Sequence, residues 1–234
     1  MANYLKPQSV YTTTNGVVVN KYIISESESP KAFIFGKLSK MSPVALTIHN
    51  TNNIAVNAAT NPAEQYSRAT FNGNMNGVLV HFYVYKNIVW QNLELDIHGW
   101  HAADGTGTGN KKTIAIEIIE SGTDKETEAT AVKLIAYLLD KYGWSTNEVF
   151  SHNHWYSKKY CPAYILPRWD TFKSEIGSEL KALQSAKTPV SPAVSQKIYR
   201  VQVGAYSVKN NAENMLEKLK KAGFSDAFIT EILK

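Results

Sequence analysis

The sequence predicts an α/β protein: a mixed central β-sheet flanked by helices, followed by a small β-α-β unit. Three observations predict it. Short runs alternate apolar and polar residues, amphipathic helical stripes lie between those runs, and a stretch rich in proline, serine and alanine sets off the C-terminal end.

Val44 to His49 alternates, with Val44, Leu46 and Ile48 on one face and Ala45, Thr47 and His49 on the other. Pro62 to Phe71 follows as a helix with proline in its first turn. Val78 to Tyr85 is rich in β-branched and aromatic residues and reads as a strand whose open face carries His81, Tyr83 and Tyr85. Thr113 to Ile118 repeats the alternation, its three isoleucines opposite Thr113, Ala115 and Glu117. Asp124 to Tyr142 carries Val132, Ile135, Leu138 and Leu139 at helical spacing, and Gly143 supplies a stop. Trp169 to Leu183 is a third helix, closing a body that spans residues 1–182.

Leu183 to Gln196 holds two prolines and three serines without periodicity and reads as a linker. The tail, residues 197–234, reads strand, helix, strand: Ile198 to Tyr206, then a stripe of Ala212, Met215, Leu216, Leu219 and Ala222 ended by Gly223, then Phe224 to Ile232. So short a unit buries little by itself, since chains below about 40 residues usually need staples or partners. It is expected to pair with a second copy or to dock on something.

At 234 residues and 44% apolar content the chain has ample core for one ordinary domain plus a small one. No apolar run approaches the ~18 residues of a membrane span. The first residues lack the apolar core of a signal peptide, so the expected site of synthesis is a cytoplasm. The net charge of +5 suits an anionic polymer but does not select one. A single cysteine, Cys161, excludes an intramolecular disulfide.

That cysteine lies in the segment Ser151-His-Asn-His-Trp-Tyr-Ser-Lys-Lys-Tyr-Cys-Pro162, with His152 and His154 nine and seven residues before it. A catalytic zinc takes three nitrogen, sulfur or oxygen ligands from the protein and keeps a position for water. The best set is His49, one of His152 or His154, and Cys161. Lys159 points the same way as Cys161 if the stretch is extended, and a cation there can support an oxyanion. Glu117 shares the polar sheet face with His49; a carboxylate among isoleucines needs a cleft or a partner, and can act as a general base. The glycine-rich run from Gly105 to Thr113 lacks the ending of a phosphate loop and reads as a cleft-edge loop. Neither Glu94 with Asp96 nor Glu117 with Glu120 makes a convincing glycosidase pair.

The motifs Thr47-Ile-His49-Asn-Thr51, Trp100-His-Ala-Ala-Asp-Gly105, Thr113-Ile-Ala-Ile-Glu117 and His152 through Lys159-Tyr-Cys161-Pro162 occur in this order. Together they resemble the zinc-dependent N-acetylmuramoyl-L-alanine amidases of the phage-lysozyme and peptidoglycan-recognition-protein type, over roughly residues 25 to 175. The resemblance implies Zn2+ bound by His49, His152 and Cys161, with Glu117 assisting the water and Lys159 beside the metal. It takes His152 over His154 because the family spaces that ligand eight to ten residues before the last. His101, Asn50 and His81 are expected to contact substrate. Ala103 stands where relatives often have glycine, and Ser157-Lys158-Lys159 departs from the usual Ser-Gly-Lys.

The expected partner is peptidoglycan of a Gram-positive, specifically clostridial, wall, without nucleic acid or membrane. The expected setting is a phage endolysin that reaches the wall once the membrane is permeabilised. The tail segment Tyr199 to Tyr206 resembles the start of the sporulation-related repeat, a wall-binding domain about twice this length, which implies a homodimer of half units. The competing class is a non-catalytic peptidoglycan-binding module of the same fold, against which the retained Cys161 argues.

Overall fold

A computed structural model describes residues 4–53, 61–187 and 201–231. The chain divides into two compact units, Met1–Pro189 and Val190–Lys234. In the first, the strands are β1 (Ser9–Thr12), β2 (Val18–Lys21), β3 (Ala45–Asn50), β4 (Phe82–Tyr85), β5 (Ile88–Gln91), β6 (Thr113–Ile118) and β7 (Val149–Ser151). Its helices are α1 (Pro62–Phe71), α2 (Thr108–Lys112), α3 (Lys125–Tyr142), α4 (His152–Trp155) and α5 (Trp169–Lys187). No helix among the described residues is long and apolar enough to cross a membrane.

The strands form one mixed sheet in the order β1-β2-β5-β4-β6-β3-β7. At its centre β3 runs parallel to both β6 and β7. Strands buried on both faces read as apolar runs, and every residue of β3 is buried. Leu46, Ile48, Ile114, Ile116 and Ile118 pack with Leu134, Ile135, Leu138 and Leu139 of α3 and with Phe172 and Ile176 of α5. Helix α3 starts where the Asp124 side chain accepts from the N–H groups of Glu126 and Thr127, and ends at Gly143 in the left-handed conformation at φ 68°.

The opposite face differs from the sequence expectation. The strand expected from Val78 begins only at Phe82, and Leu79 makes an isolated bridge to Trp100. Its supposedly open face is closed: Tyr83 is buried with Ala63 of α1, and its hydroxyl shares a hydrogen bond with that of Thr70 at 2.9 Å. The expected loop before β6 contains α2. Leu183 to Lys187, expected to open the linker, continue α5; residues 188–196 lie outside the described residues.

The second unit contains α6 (Lys209–Lys221), with Ala212, Met215, Leu216 and Leu219 partly covered. The strands expected on either side of it do not form over the described residues 201–206 and 224–231. Val201 is 89% exposed and Phe228 73% exposed. A strand needs a ladder partner for its amides, and even a two-stranded ribbon is marginal in water. One strand-helix-strand repeat supplies no third strand.

A buried polar chain ties β3 to the helices. Asn50 Nδ2 donates to Glu120 Oε1 at 3.3 Å, and Glu120 Oε2 accepts from the Asp124 N–H at 3.3 Å. Glu128 beside it pairs with Arg168. Burial, reinforced by the Glu128 charge, pushes the Glu120 carboxyl up to about 8. The folded state therefore holds a proton that the unfolded chain has released. This contribution is complete below the unfolded value of about 4.3 and is lost as pH rises through about 8. Thermal unfolding followed from pH 5 to pH 8.5 is expected to show Glu120→Gln losing less stability than the parent. The difference is on the order of 2 kcal/mol once solvent screening is discounted.

Candidate metal centre

The parallel register places the site at the carboxyl ends of the central strands. His49 of β3 lies opposite Glu117 of β6, and Ile48 lies opposite Ser151, the last residue of β7. The chain then turns directly into α4, whose start is capped by the Ser151 hydroxyl accepting from the His154 N–H at 3.2 Å. Trp155 Nε1 donates to Thr47 Oγ1 at 2.8 Å and anchors α4 on β3. Gly109 permits that packing: a Cβ there would meet Ala102 Cβ at 2.6 Å and Trp155 Cγ at 2.7 Å.

His152 is thereby buried beside His49, their Nδ1 atoms 3.1 Å apart. The loop returns with Cys161, whose Sγ lies 3.9 Å from both Asn50 oxygens. Asn153 pins this return: its N–H donates to the Cys161 carbonyl at 2.9 Å and its side chain to the Lys159 carbonyl at 3.0 Å. One ligand atom from each of His49, His152 and Cys161 lies within 4.8 Å of the others, and all three residues are buried.

The donor set suits a borderline-soft cation. Burial, then His101, His152 and Lys159, holds the His49 ring well below the ordinary histidine range. Burial and Lys159 lower His152 to about 4. Both rings are thus neutral with lone pairs to offer. Burial and then Glu117 push the Cys161 thiol up to about 12, so a nearby cation is needed to make it a thiolate. The buried His152 Nε2 meets no hydrogen-bond acceptor at good geometry, while the Ala102 carbonyl favours a proton on that ring. With that proton on Nε2, Nδ1 stays bare and faces His49. Two imidazoles and a thiol in this arrangement fit zinc.

Glu117 is partly exposed at the edge of the cluster. Desolvation pushes its carboxyl up to about 8, against the pull of Lys159. Lys159 is exposed, and its charge acts on His49, His152, Glu117 and Cys161 alike.

Four other expected positions stand as follows. His154 is exposed and packs on Phe150 at 4.6 Å between ring centres, outside the cluster. His81 is fully buried; its Nε2 bonds the Ile97 carbonyl at 2.8 Å and its Nδ1 accepts from Ala115 N–H at 3.0 Å. Both nitrogens are engaged within the fold, one on the loop at Ile97 and one on β6. Asn50 is engaged likewise: Oδ1 accepts from Ala163 N–H at 2.8 Å and Nδ2 reaches Glu120. His101 lies behind His49, with Nδ1 3.1 Å from His49 Nε2, and is buried. Sequence reasoning missed Asn153, Asn110 and the Ser151 cap; only the cap, a serine before a turn, carries a local signal. Ala103 sits at φ 57°, a left-handed conformation that favours the glycine of the resemblance.

A mixed sheet that gathers two histidines and a cysteine beside the carboxyl ends of its parallel strands defines an α/β domain with a candidate metal centre. The chain belongs to the N-acetylmuramoyl-L-alanine amidase family, whose profile matches residues 39–164. A SPOR domain profile matches residues 195–232. The amidase XlyA of Bacillus subtilis is 35% identical over 179 residues, 74% of this chain and 58% of that protein. The amidase CwlH of the same organism is 38% identical over 141 residues, 59% of this chain and 54% of that protein. The chain therefore spans somewhat more than half the length of these relatives. The solved catalytic domain of XlyA is 34% identical, with a TM-score of 0.58 over 68% of this chain and 99% of that one.

Metal analysis after zinc loading is expected to show one ion per chain. His152→Ala and Cys161→Ser should each weaken binding by two or more orders of magnitude, whereas His154→Ala should leave it unchanged. Loss of the ion in His154→Ala with retention in His152→Ala would reverse the assignment.

Proposed function

We propose that the first unit is a zinc-dependent amidase that hydrolyses the bond between the lactyl carbonyl of N-acetylmuramic acid and the L-alanine of the stem peptide. The observation that carries the reading is the convergence of His49, His152 and Cys161 beside a raised carboxyl, in a chain of the amidase family. His49, His152 and Cys161 would hold the ion. When bound, zinc polarises the amide carbonyl and acidifies water.

Glu117 accepts the proton of the attacking water and returns it to the departing alanine nitrogen. Desolvation raises this carboxyl, Lys159 offsets part of the rise, and a bound zinc would lower it further toward the carboxylate that can take the proton. Lys159 supports the negative charge that develops on the carbonyl oxygen. The C–N bond breaks, leaving a carboxylate on the muramyl side and a free alanine amine. A non-catalytic binder needs neither the cysteine nor the raised carboxyl, and both are present.

The substrate is the peptidoglycan of a Gram-positive wall, clostridial by the sequence resemblance, reached in the endolysin setting once the membrane is breached. The second unit binds that wall. Its exposed Val201, Val203, Phe224 and Phe228 are covered when two copies of this chain pair their repeats, a homodimer.

Incubation with purified walls is expected to release new N-terminal alanine and no new reducing sugar ends, and chelation should abolish the release. Glu117→Gln should lower kcat by about 10²–10⁴-fold and Lys159→Met by about 10²–10³-fold, with metal content retained. New reducing ends would replace the amidase with a muramidase. Sedimentation equilibrium is expected to show a concentration-dependent dimer that Val201→Asp with Phe228→Asp returns to monomer. A monomer at all concentrations would remove the pairing.

A further inference from the structure

His101 is buried, and both its backbone and its ring are held within the fold. Its backbone N–H and that of Ala102 both donate to Asn110 Oδ1 at 2.7 Å. Asn110 is itself held, its Nδ2 donating to the Gly105 carbonyl at 3.0 Å and its N–H to Asp104 Oδ1 at 3.1 Å. This buried amide fixes where the His101 ring begins. The ring meets His49 edge to face, with centres 5.2 Å apart and planes at 89°. The contact puts His101 Nδ1 3.1 Å from His49 Nε2.

Which nitrogen carries the shared proton decides what His49 can offer on its other side. If His101 Nδ1 donated, His49 Nε2 would be bare and the neutral His49 ring would carry its proton on Nδ1. That proton would point at His152 Nδ1, 3.1 Å away, and block the lone pair. In the opposite arrangement His101 carries its proton on Nε2, and His49 Nδ1 is bare. The Thr113 carbonyl near His101 favours a proton on that ring, and the buried Nε2 has no hydrogen-bond partner at good geometry. The second arrangement gives that nitrogen the proton, with the carbonyl nearby, and leaves Nδ1 to face His49.

We propose that His101 is a positioning residue for the metal centre: its Nδ1 accepts the Nε2–H of His49 and so turns a bare His49 Nδ1 toward His152 and Cys161. The proposal rests on the reading of that cluster as a metal site. Outer partners of ligating histidines fix ring and tautomer, and their loss typically costs about 10–100-fold in metal affinity. Here the partner is another imidazole, and its own place is set by Asn110.

The test is cobalt(II) titration of the full chain with a competing chelator, reading affinity and the thiolate-to-cobalt absorption band. Three variants separate positioning from filling space. His101→Asn places an amide oxygen near the position of Nδ1, His101→Gln places its amide one bond further, and His101→Leu offers no acceptor. Leu and Gln are expected to weaken cobalt binding by about 10–100-fold and to alter the band, while Asn stays within a few-fold of the parent. Parent-like affinity in Leu, or equal loss in Asn and Gln, overturns the role of His101. If Leu does not fold, the comparison of Asn with Gln decides alone. A parent protein that binds no cobalt sinks the metal reading itself, and the proposal with it.

Discussion

The site depends on β3 being paired in parallel on both sides. That pairing sets His49 beside Glu117 on one flank and, through β7, delivers Ser151 and then His152 on the other. A slip of one residue would turn His49 into the apolar core and bring Ile48 to the site, because side chains alternate faces. The registers are held by burial: Leu46, Ile48, Ile114 and Ile116 are all inaccessible to solvent against α3 and α5. The core thus fixes the spacing of donors that contribute little to its own stability.

What the pairing assembles is electrostatically incomplete. Two neutral imidazoles, a protonated thiol and a raised carboxyl lie together with one exposed lysine for charge. Burial raises acids and lowers bases, and here it acts on both imidazoles, the thiol and the carboxyl. A divalent cation reverses that balance. His49, His152 and Cys161 would hold such an ion, which would favour the thiolate and lower Glu117 again. The hydrogen-bond chain from Asn110 through His101 to His49 prepares the tautomer such an ion requires. On the far side Asn50 links the Cys161 loop to Glu120 and so to the helices.

Elements with several turns or a full alternation were legible in the sequence. Helix α3 carried its stripe and its glycine stop, α1 its first-turn proline, and β3 and β6 their period of two. Strands β1, β2, β5 and β7 were not, since three or four residues carry no usable period. The loss mattered most at β7, whose pairing with β3 sets the position of His152. His49, Cys161 and one of His152 or His154 were nameable from residue type and spacing, and the choice of His152 came only with the family resemblance. Their mutual distances were not legible, because the contact between the two histidines spans 103 residues. A polar side chain near a site serves equally well to satisfy buried backbone groups, as His81 and Asn50 do here, and residue type alone does not tell the two uses apart. His101 sat in a recognisable motif, yet its role depends on one nitrogen facing His49, which no local pattern encodes. The expected tail strands do not form over the described residues 201–206 and 224–231, because a lone alternating run has no ladder partner there to bond its amides.

X-ray absorption at the zinc edge of the metal-loaded protein tests the proposed centre most directly. The account predicts one sulfur at about 2.3 Å and two imidazole nitrogens at about 2.0–2.1 Å, with a light atom completing the shell. A shell of nitrogen and oxygen without sulfur would contradict it, because Cys161 would then lie outside the coordination sphere.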